Sequence, residues 1–317
     1  MITMHNKIVT LTFCPAIDKS ATVPILIPEK KLNCSTPIYE PGGGGINVAR
    51  AIKRLGGNAT AIYLAGGYTG KFFKKLLDKE NITGISIKTV NPTRENLVIK
   101  EIATQRQYRF GMPGPEISLA EWQHCLKTIE QLTNTEYLVI SGSLPQGAPV
   151  NIFSKIAETF FEKKTKLIVD TSGEALRQAL ESGVFLIKPN LKELAFLVNE
   201  ETLHIEQVEK ASKTLINKYK CEIVITSLGA EGAMLVTNST SLRIIPPKVS
   251  VQSTVGAGDS MLAGIIMGLC NEKTMVESVQ YGVACGTAAT LNPGTELCHP
   301  ADVNRLYQLI KCNYPIN

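Results

Sequence analysis

The sequence is poor in several features that mark whole classes of protein. It has 6% aromatic residues, and 33 Lys and Arg against 28 Asp and Glu give a net charge of +5. The basic residues are dispersed and not interleaved with aromatics, so we expect no nucleic-acid partner. No apolar run reaches the roughly 18 residues that a membrane span needs. Residues 1–7 lack the apolar core of a signal peptide, so we expect a cytoplasmic protein with no membrane contact.

The cysteines lack the spacing of a disulfide framework or of a zinc site. None belongs to a C-x-x-C pair, and they are scattered at positions 14, 34, 125, 221, 270, 285, 298 and 312. We interpret them as reduced thiols of a cytosolic protein. With 44% hydrophobic residues over 317 positions, the chain can bury the core of one large α/β domain or of two ordinary ones.

Apolar strand patterns alternate with helical patterns along most of the chain. Such alternation predicts a parallel, doubly wound sheet covered by helices. The predicted buried strands are Lys7–Phe13, Ala59–Ala65, Tyr137–Ile140, Lys166–Asp170, Phe185–Ile187 and Cys221–Thr226.

Two stretches depart from this alternation. Residues 21–39 are rich in proline and hold only short alternating runs, which favours the edge strands of a small separate sheet. Ile85–Lys88, Leu97–Ile102 and Gln107–Phe110 are predicted to complete that sheet. We therefore expect a lid whose strands come from residues 19–40 and 94–112.

Four consecutive glycines, Gly42 to Gly45, open a predicted helix. Ordering such a run is costly in conformational entropy, so a purely structural use is a poor explanation. Asn47 lies in the first turn, where its amide can bind ligand hydroxyls. Asp18 follows the first predicted strand, and open α/β sheets bind ligands at that edge. A simple turn aspartate is the alternative for Asp18.

A second glycine stretch, Gly256 to Gly258, precedes the apolar run Met261–Leu269, which predicts a helix. Backbone N–H groups at a helix start, with the helix dipole behind them, form an anion site. Asp259 beside such a site can accept a proton while negative charge develops on a phosphate. The alternative is an aspartate that merely caps the helix.

Asn190 and Glu193 are three residues apart at another predicted helix start. Together they can hold the water shell of Mg²⁺, which binds oxygen ligands and keeps several waters. A capping box, in which each side chain bonds the other residue's backbone N–H, is the alternative explanation.

These residues together resemble the ribokinase-like (PfkB) carbohydrate kinases. The segments Gly42–Arg50 and Thr254–Asp259 are similar to the two signatures of that family, and Asn190 with Glu193 lies between them. The resemblance covers essentially the whole chain. It implies one domain over residues 1–317, built as a three-layer α/β/α sandwich with a mostly parallel sheet and a small β lid.

Within the family, the glycine run resembles that of the PfkB-type 6-phosphofructokinases. The 1-phosphofructokinases and tagatose-6-phosphate kinases usually carry a lysine at the third glycine, which is Gly44 here. The resemblance implies ATP-dependent phosphorylation of fructose 6-phosphate at its C1 hydroxyl, with Mg²⁺, in a homodimer joined through the lid. The alternatives are one of the two sister kinases, or a sugar-phosphate sensor without catalysis.

The resemblance also implies a role for each matching residue. Asp259 would be the base, and the backbone of Gly256, Ala257 and Gly258 would stabilise the transferring phosphoryl group. Residues expected at the sugar phosphate are Asp18, Lys31, Gly42, Gly43, Gly44, Asn47, Arg94 and Ser141. Those expected at ATP are Lys188, Asn190, Ser227, Gly229, Thr254, Gly256 and Gly258. A potassium site is implied at Ser253, Val255, Ala289, Asn292 and Gly294, although Glu296 replaces an expected basic residue there. Asn33 likewise replaces one in the lid.

Overall fold

A parallel sheet with helices on both faces makes up most of the structure, a computed structural model that describes residues 7–149, 151–161 and 163–313. The strands are β1 (Ile8–Thr12), β2 (Ala16–Val23), β3 (Ile38–Gly42), β4 (Thr60–Gly66), β5 (Thr83–Thr89), β6 (Arg94–Glu101), β7 (Gln107–Phe110), β8 (Tyr137–Ser141), β9 (Lys166–Asp170), β10 (Val184–Ile187), β11 (Cys221–Ser227), β12 (Ala233–Val236) and β13 (Ser241–Ile244). The helices are α1 (Gly44–Arg54), α2 (Gly67–Lys79), α3 (Leu119–Glu130), α4 (Ile152–Phe161), α5 (Gly173–Ser182), α6 (Leu191–Leu197), α7 (Val208–Lys218), α8 (Ala257–Cys270), α9 (Met275–Thr290) and α10 (Pro300–Asn313). The main sheet has the order β13-β12-β11-β10-β9-β8-β1-β4-β5. All its pairings are parallel except those of β12, which runs antiparallel to both β11 and β13.

The core lies on both faces of this sheet. In β8 every residue is buried, as expected for a central parallel strand. Tyr137 and Val139 pack with the buried residues of α1, α2, α8, α9 and α10. Leu138 and Ile140 point the other way and pack with those of α3 to α7. The predicted three-layer α/β/α architecture is confirmed.

A second sheet, in the order β3-β2-β6-β7, forms the expected small sheet from two separate stretches of chain. Strand β2 pairs antiparallel with β3 and parallel with β6. The first stretch begins earlier than predicted, at Ala16, and residues 24–37 between β2 and β3 contain neither helix nor strand.

The prediction that Ile85–Lys88 belongs to the small sheet is wrong. These residues lie in β5 at the edge of the main sheet, where Ile85 pairs with Ile62 of β4 in parallel register. The intervening α2 makes a βαβ crossover, and such a crossover returns the chain to the same sheet. An edge strand of the main sheet has part of its surface exposed to solvent, so buried and exposed residues alternate in the second half of β5. The same alternation is expected of a strand in the small sheet.

Two helix boundaries differ from those predicted. Helix α8 begins at Ala257, four residues before the apolar run, so Gly258 and Asp259 lie in its first turn. The sequence also predicts a helix over residues 150–163, between the strands at Tyr137–Ile140 and Lys166–Asp170, and the structure has it as Ile152–Phe161. Val150 and Glu162 lie outside the described residues, as do residues 1–6. Within the described residues, no helix has the length and apolarity that crossing a membrane requires.

Gly282 allows α8 and α9 to pack closely. A Cβ atom at this position would lie 2.4 Å from Ile265 Cγ1 and 2.8 Å from the Met261 carbonyl oxygen. We expect Gly282→Ala to lower the free energy of unfolding by about 1–3 kcal/mol, because the overpacked pair must separate. Urea unfolding measures the change. Gly111→Ala, where the added Cβ meets nothing within 4 Å, is the matched control; equal stability of the two variants would contradict the prediction.

Candidate active site

Polar side chains gather at the carboxyl edge of the main sheet. Ser141 ends β8, Asp170 ends β9, Lys188 follows β10 and Ser227 ends β11. Strand β1 lies between β8 and β4, so the direction in which strands are added reverses beside β1. Ligands of doubly wound sheets bind in the crevice at such a reversal.

The glycine run brings the chain against this crevice. Gly43 caps α1 with φ of 111°, a backbone conformation that side chains disfavour. A Cβ atom at Gly44 would lie 2.2 Å from Ser141 Oγ, and one at Gly42 would lie 2.1 Å from Asp18 Oδ2. The run therefore places backbone against two side chains predicted to bind the sugar, and larger residues at these positions would displace them.

The sequence position of Asp18 suggested that it lies just beyond a core strand, but the structure places it elsewhere. It is the third residue of β2, within the small sheet, because the chain passes from β1 into β2 through only three residues, 13–15. Its Oδ1 accepts a hydrogen bond of 2.9 Å from Asn96 Nδ2 on the neighbouring β6. Burial raises the pKa of Asp18, while the Asn96 bond opposes that shift. The small sheet thus supplies a carboxylate to the site.

The two predicted cations of the small sheet differ in their surroundings. Arg94 starts β6 and donates to the Cys14 carbonyl oxygen at 3.1 Å and to the Met112 carbonyl oxygen at 2.9 Å. Among the described residues, its buried Nε has no hydrogen-bond acceptor. Lys31 is exposed in the irregular segment between β2 and β3. The structure therefore places Arg94 just beyond the end of β1, whereas Lys31 makes no contact there among the described residues.

Asp259 lies in the first turn of α8, three residues after Gly256. Gly256 caps the helix in the left-handed conformation, with φ of 72°. Its Oδ2 accepts a hydrogen bond of 2.9 Å from Asn47 Nδ2 in the first turn of α1. The starts of two helices therefore meet at this carboxylate. The N–H groups of a first helical turn have no acceptors within the helix and can bind an anion.

The electrostatic surroundings of Asp259 raise its pKa to about 6. Burial is the largest cause, and the Asp170 carboxylate adds to it, whereas Asn47 and Lys188 act in the opposite direction. A carboxyl group with this pKa is ionised at neutral pH and is a stronger base than an ordinary aspartate.

Lys188 is the buried cation of the site. Its Nζ lies 3.2 Å from Asp170 Oδ1 and 3.3 Å from the position that a Cβ atom at Gly258 would take. Burial by itself would lower the pKa of Lys188, but the carboxylates of Asp170 and Asp259 raise it. An ammonium group beside the start of α8 strengthens the anion site there.

Asn190 and Glu193 form the capping box of α6. Asn190 Oδ1 accepts from the Glu193 N–H at 3.0 Å, and Glu193 Oε2 accepts from the Asn190 N–H at 2.9 Å. Each carboxylate oxygen has more than one acceptor position, so the capping bonds leave room for water or metal. Burial and the nearby Asp170 raise the pKa of Glu193.

This oxygen-rich edge fits Mg²⁺ held through water. Among the described residues, no group of three or more His, Cys, Asp or Glu side chains is placed to hold a metal directly. Mg²⁺ keeps several of its own waters in such sites and needs few protein ligands. The capping and metal-binding interpretations of Asn190 and Glu193 are therefore compatible.

The remaining predicted nucleotide residues surround the same edge. Ser227 forms a parallel bridge with Asn190, and its N–H donates to the Pro189 carbonyl oxygen at 2.9 Å. Gly229 is exposed, with φ of 62°, and Thr254 is exposed just before α8. These residues border the open side of the site.

The predicted potassium residues come from the loop before α8 and from the end of α9 with the loop that follows it, and the two segments contact each other. Ser253 Oγ donates to the Gly294 carbonyl oxygen at 2.7 Å and accepts from the Val255 N–H at 3.2 Å. The Asn292 N–H donates to the Ala289 carbonyl oxygen at 3.2 Å. Glu296 is paired with His299 at 2.8 Å and with Arg54 at 4.0 Å. These segments contain the Gly294 and Ala289 carbonyl groups, and backbone carbonyl oxygen is the kind of ligand that K⁺ takes.

The sequence reasoning missed two residues. Asp170 ends a buried strand next to Lys188, and the argument applied to Asp18, an acid at the end of a strand, also applied to it. Arg50 is three residues beyond Asn47 on the buried face of α1. Its position among apolar neighbours was the available signal, since an arginine at a core position requires partners.

Residues 9–302 match the pfkB family of carbohydrate kinases. The chain belongs to this family. Among its relatives, the ATP-dependent 6-phosphofructokinase isozyme 2 of Escherichia coli is 43% identical, with 95% of this chain and 98% of the relative covered. The enzyme of the same name from Mycobacterium tuberculosis strain H37Rv is 40% identical, with 96% and 89% covered.

The PfkB fold of the chain is also found in solved structures. The crystal structure of Escherichia coli phosphofructokinase-2 in complex with potassium superposes with a TM-score of 0.93 at 42% identity, covering 96% of this chain and 99% of that one. PfkB relatives of lower identity are named 1-phosphofructokinase and tagatose-6-phosphate kinase.

We expect Asp259→Asn to raise the free energy of unfolding by about 1–3 kcal/mol near neutral pH. The folded-state pKa of about 6 exceeds the ordinary value of 3.8, so between these values the folded protein holds the proton more tightly than the unfolded chain. The cost of ionising Asp259 therefore develops as the pH rises from 3.8 to 6 and is absent at lower pH. Urea unfolding of both proteins above and below this window measures the effect.

The stabilisation should disappear in the most acidic buffer in which both proteins stay folded. A gain that is independent of pH, or a variant less stable than the parent at neutral pH, would contradict the raised pKa of Asp259.

Proposed function

We propose that this kinase transfers the γ-phosphoryl group of ATP to the C1 hydroxyl of fructose 6-phosphate. The observation that carries the proposal is the Asp259 carboxylate, held by Asn47 at the start of α8 with Lys188 beside the same helix turn. A base is thereby adjacent to a site suited to a phosphoryl group. The names of the relatives at 40–43% identity support the same activity.

In the proposed step, the C1 oxygen attacks the γ-phosphorus as the bond to the departing ADP oxygen breaks. The hydroxyl proton passes to Asp259, which with a pKa of about 6 is ionised at neutral pH. The N–H groups of Gly256, Ala257 and Gly258, together with Lys188, stabilise the negative charge on the transferring group. The products are fructose 1,6-bisphosphate and ADP.

The acceptor sugar would lie between the glycine run and the small sheet. Asp18, Gly42, Gly43 and Asn47 would bind its hydroxyl groups. The small sheet would exclude water, which otherwise competes with the sugar as acceptor.

The sugar phosphate would be bound by Arg94 and Ser141, with Lys31 as a further cation. The buried Arg94 Nε has no hydrogen-bond acceptor among the described residues, so it is free to donate to a phosphate oxygen.

The nucleotide would lie on the side of Lys188, Ser227, Gly229 and Thr254. Asn190 and Glu193 would hold Mg²⁺ through water, and the ion would neutralise charge on the ATP phosphates. The loops of Ser253, Val255, Ala289, Asn292 and Gly294 would hold K⁺, as the potassium complex of the Escherichia coli relative suggests.

We also propose a homodimer joined through the small sheet. Ile38 and Phe110 on that sheet are 63% and 48% exposed, a large apolar exposure for a strand surface. A cytoplasmic location fits the cysteines, none of which forms a disulfide within the described residues.

Gly44 favours fructose 6-phosphate over the substrates of the sister kinases. A Cβ atom there would lie 2.2 Å from Ser141 Oγ and 2.8 Å from the Gly142 nitrogen. The lysine that 1-phosphofructokinases usually carry at this position would require the Ser141 segment to move. Phosphorylation of fructose 1-phosphate or tagatose 6-phosphate is the second candidate function, supported by the relatives of lower identity.

A coupled assay with ATP and a panel of sugar phosphates tests the proposal. We expect the highest kcat/KM with fructose 6-phosphate. Asp259→Asn should lower kcat by at least about 10²-fold, the usual contribution of a general base, while ATP still binds. A preference for fructose 1-phosphate or tagatose 6-phosphate would establish the sister activity instead. Binding of sugar phosphate without any turnover would make the chain a sensor.

Arg94→Ala should raise KM for the sugar phosphate by about 10-fold or more and leave KM for ATP nearly unchanged, because a charge-assisted phosphate contact is lost. Initial-rate kinetics with each substrate varied in turn measures both values. Arg109→Ala removes an exposed arginine of the same sheet, which donates to Gln107, and serves as the matched control. Equal changes in the two KM values would contradict the assigned role.

A further inference from the structure

Arg50 lies past the middle of α1 and is buried, with 1% of its surface exposed. Its Nε and Nη2 each donate to the Glu80 carboxylate at 2.7 Å, and Nη2 also donates to Glu40 at 3.1 Å. Nη1 donates to the Pro41 carbonyl oxygen at 2.8 Å and lies 3.4 Å from Asn47 Oδ1. All three nitrogens are thus engaged, and the guanidinium has a fixed orientation.

The Asn47 amide lies between this cation and the Asp259 carboxylate. A guanidinium can only donate hydrogen bonds and an ionised carboxylate can only accept them. Asn47 Oδ1 therefore faces Arg50, and Nδ2 faces Asp259 at 2.9 Å. If the amide were rotated by half a turn, Nδ2 would face the Arg50 guanidinium, donor against donor, and Oδ1 would face the Asp259 carboxylate, acceptor against acceptor.

We infer that Arg50 is a positioning residue, which holds the Asn47 amide in the orientation that donates to Asp259. This inference rests on the proposed function for its meaning in catalysis, but the geometry is a property of the free protein. The Asn47 hydrogen bond stabilises the ionised carboxylate and so lowers the pKa of Asp259. Without Arg50, the amide is free to turn, and part of that stabilisation is lost.

Other charges act on the same carboxylate and must be held constant in a test. Asp170 from the end of β9 and Asp18 from β2 raise the pKa of Asp259, and Lys188 after β10 lowers it. Glu40 and Glu80 surround Arg50 itself. A substitution that keeps a positive charge at position 50 therefore separates the orientation of the amide from the loss of charge.

Arg50→Lys is that substitution. A single ammonium group cannot contact both glutamates, the Pro41 carbonyl and the Asn47 amide at once. We expect the acidic limb of the kcat/KM profile for fructose 6-phosphate to move upward by about 0.5–1 pH unit, since the lost hydrogen bond favoured the ionised base. At the midpoint of the parent profile, kcat/KM relative to its plateau would fall about 2- to 5-fold, as a single-proton titration shifted by that amount requires.

Two further variants distinguish positioning from a structural effect. Asn47→Leu removes the donor, so in that background Arg50→Lys should move the limb no further. Glu80→Gln weakens the contacts of Arg50 Nε and Nη2, which point away from Asn47. It should lower stability and leave the acidic limb of the kcat/KM profile in place. A full shift in the Asn47→Leu background, or an unmoved limb in Arg50→Lys, would overturn the inference. If Arg50→Lys does not fold, Arg50→Gln combined with Glu80→Gln takes its place, because it removes the buried guanidinium together with the carboxylate that pairs with it.

The titration of Asp259 by carboxyl ¹³C NMR in the free protein gives the same readout without turnover. We expect a higher midpoint in Arg50→Lys than in the parent protein. If fructose 6-phosphate is not a substrate, the proposed function fails, and the NMR midpoint still decides the role of Arg50. If the parent protein turns over fructose 6-phosphate and the midpoint does not move, only the inference about Arg50 fails.

Discussion

The hydrogen bond between Asn47 and Asp259 is the contact on which the site depends. It joins residues that are 212 positions apart and connects the starts of α1 and α8. Two helix dipoles and their unpaired N–H groups therefore point at one region, beyond the carboxyl ends of the strands. The fold stabilises negative charge there, while burial disfavours the ionisation of Asp259, the residue that the proposed function makes the base.

The fold was largely predictable because its strongest signals are local. Strands buried on both faces read as continuous apolar runs, so β9, Lys166–Asp170, was predicted to the residue. The two glycine-rich stretches were recognisable from composition, and the structure gives the reasons: Gly43 and Gly256 have positive φ, and Gly44 leaves no room for a Cβ atom. The start of α8 was misplaced, since the apolar run that marks the helix begins after its functional first turn.

The remaining features depend on partners that are distant in sequence. β5 could be assigned to the main sheet only through its pairing with β4, because an edge strand and a lid strand have the same alternation. Asp170 becomes part of the site through Lys188, which belongs to the next strand segment. Arg50 acquires its role from Glu80 and Glu40, and no local pattern connects the three.

The passage from β3 to α1 has a mechanical consequence. β3, a strand of the small sheet, ends at Gly42, and α1 begins at Gly44, so a single residue separates them. With so short a connection, the small sheet cannot swing away from the main sheet without pulling on the first turn of α1. Glu40 on β3 and Asn47 on α1 are held by the same arginine, which stiffens this connection. A displacement of the small sheet would therefore be transmitted through Gly43 and Arg50 to Asn47, the residue that contacts Asp259.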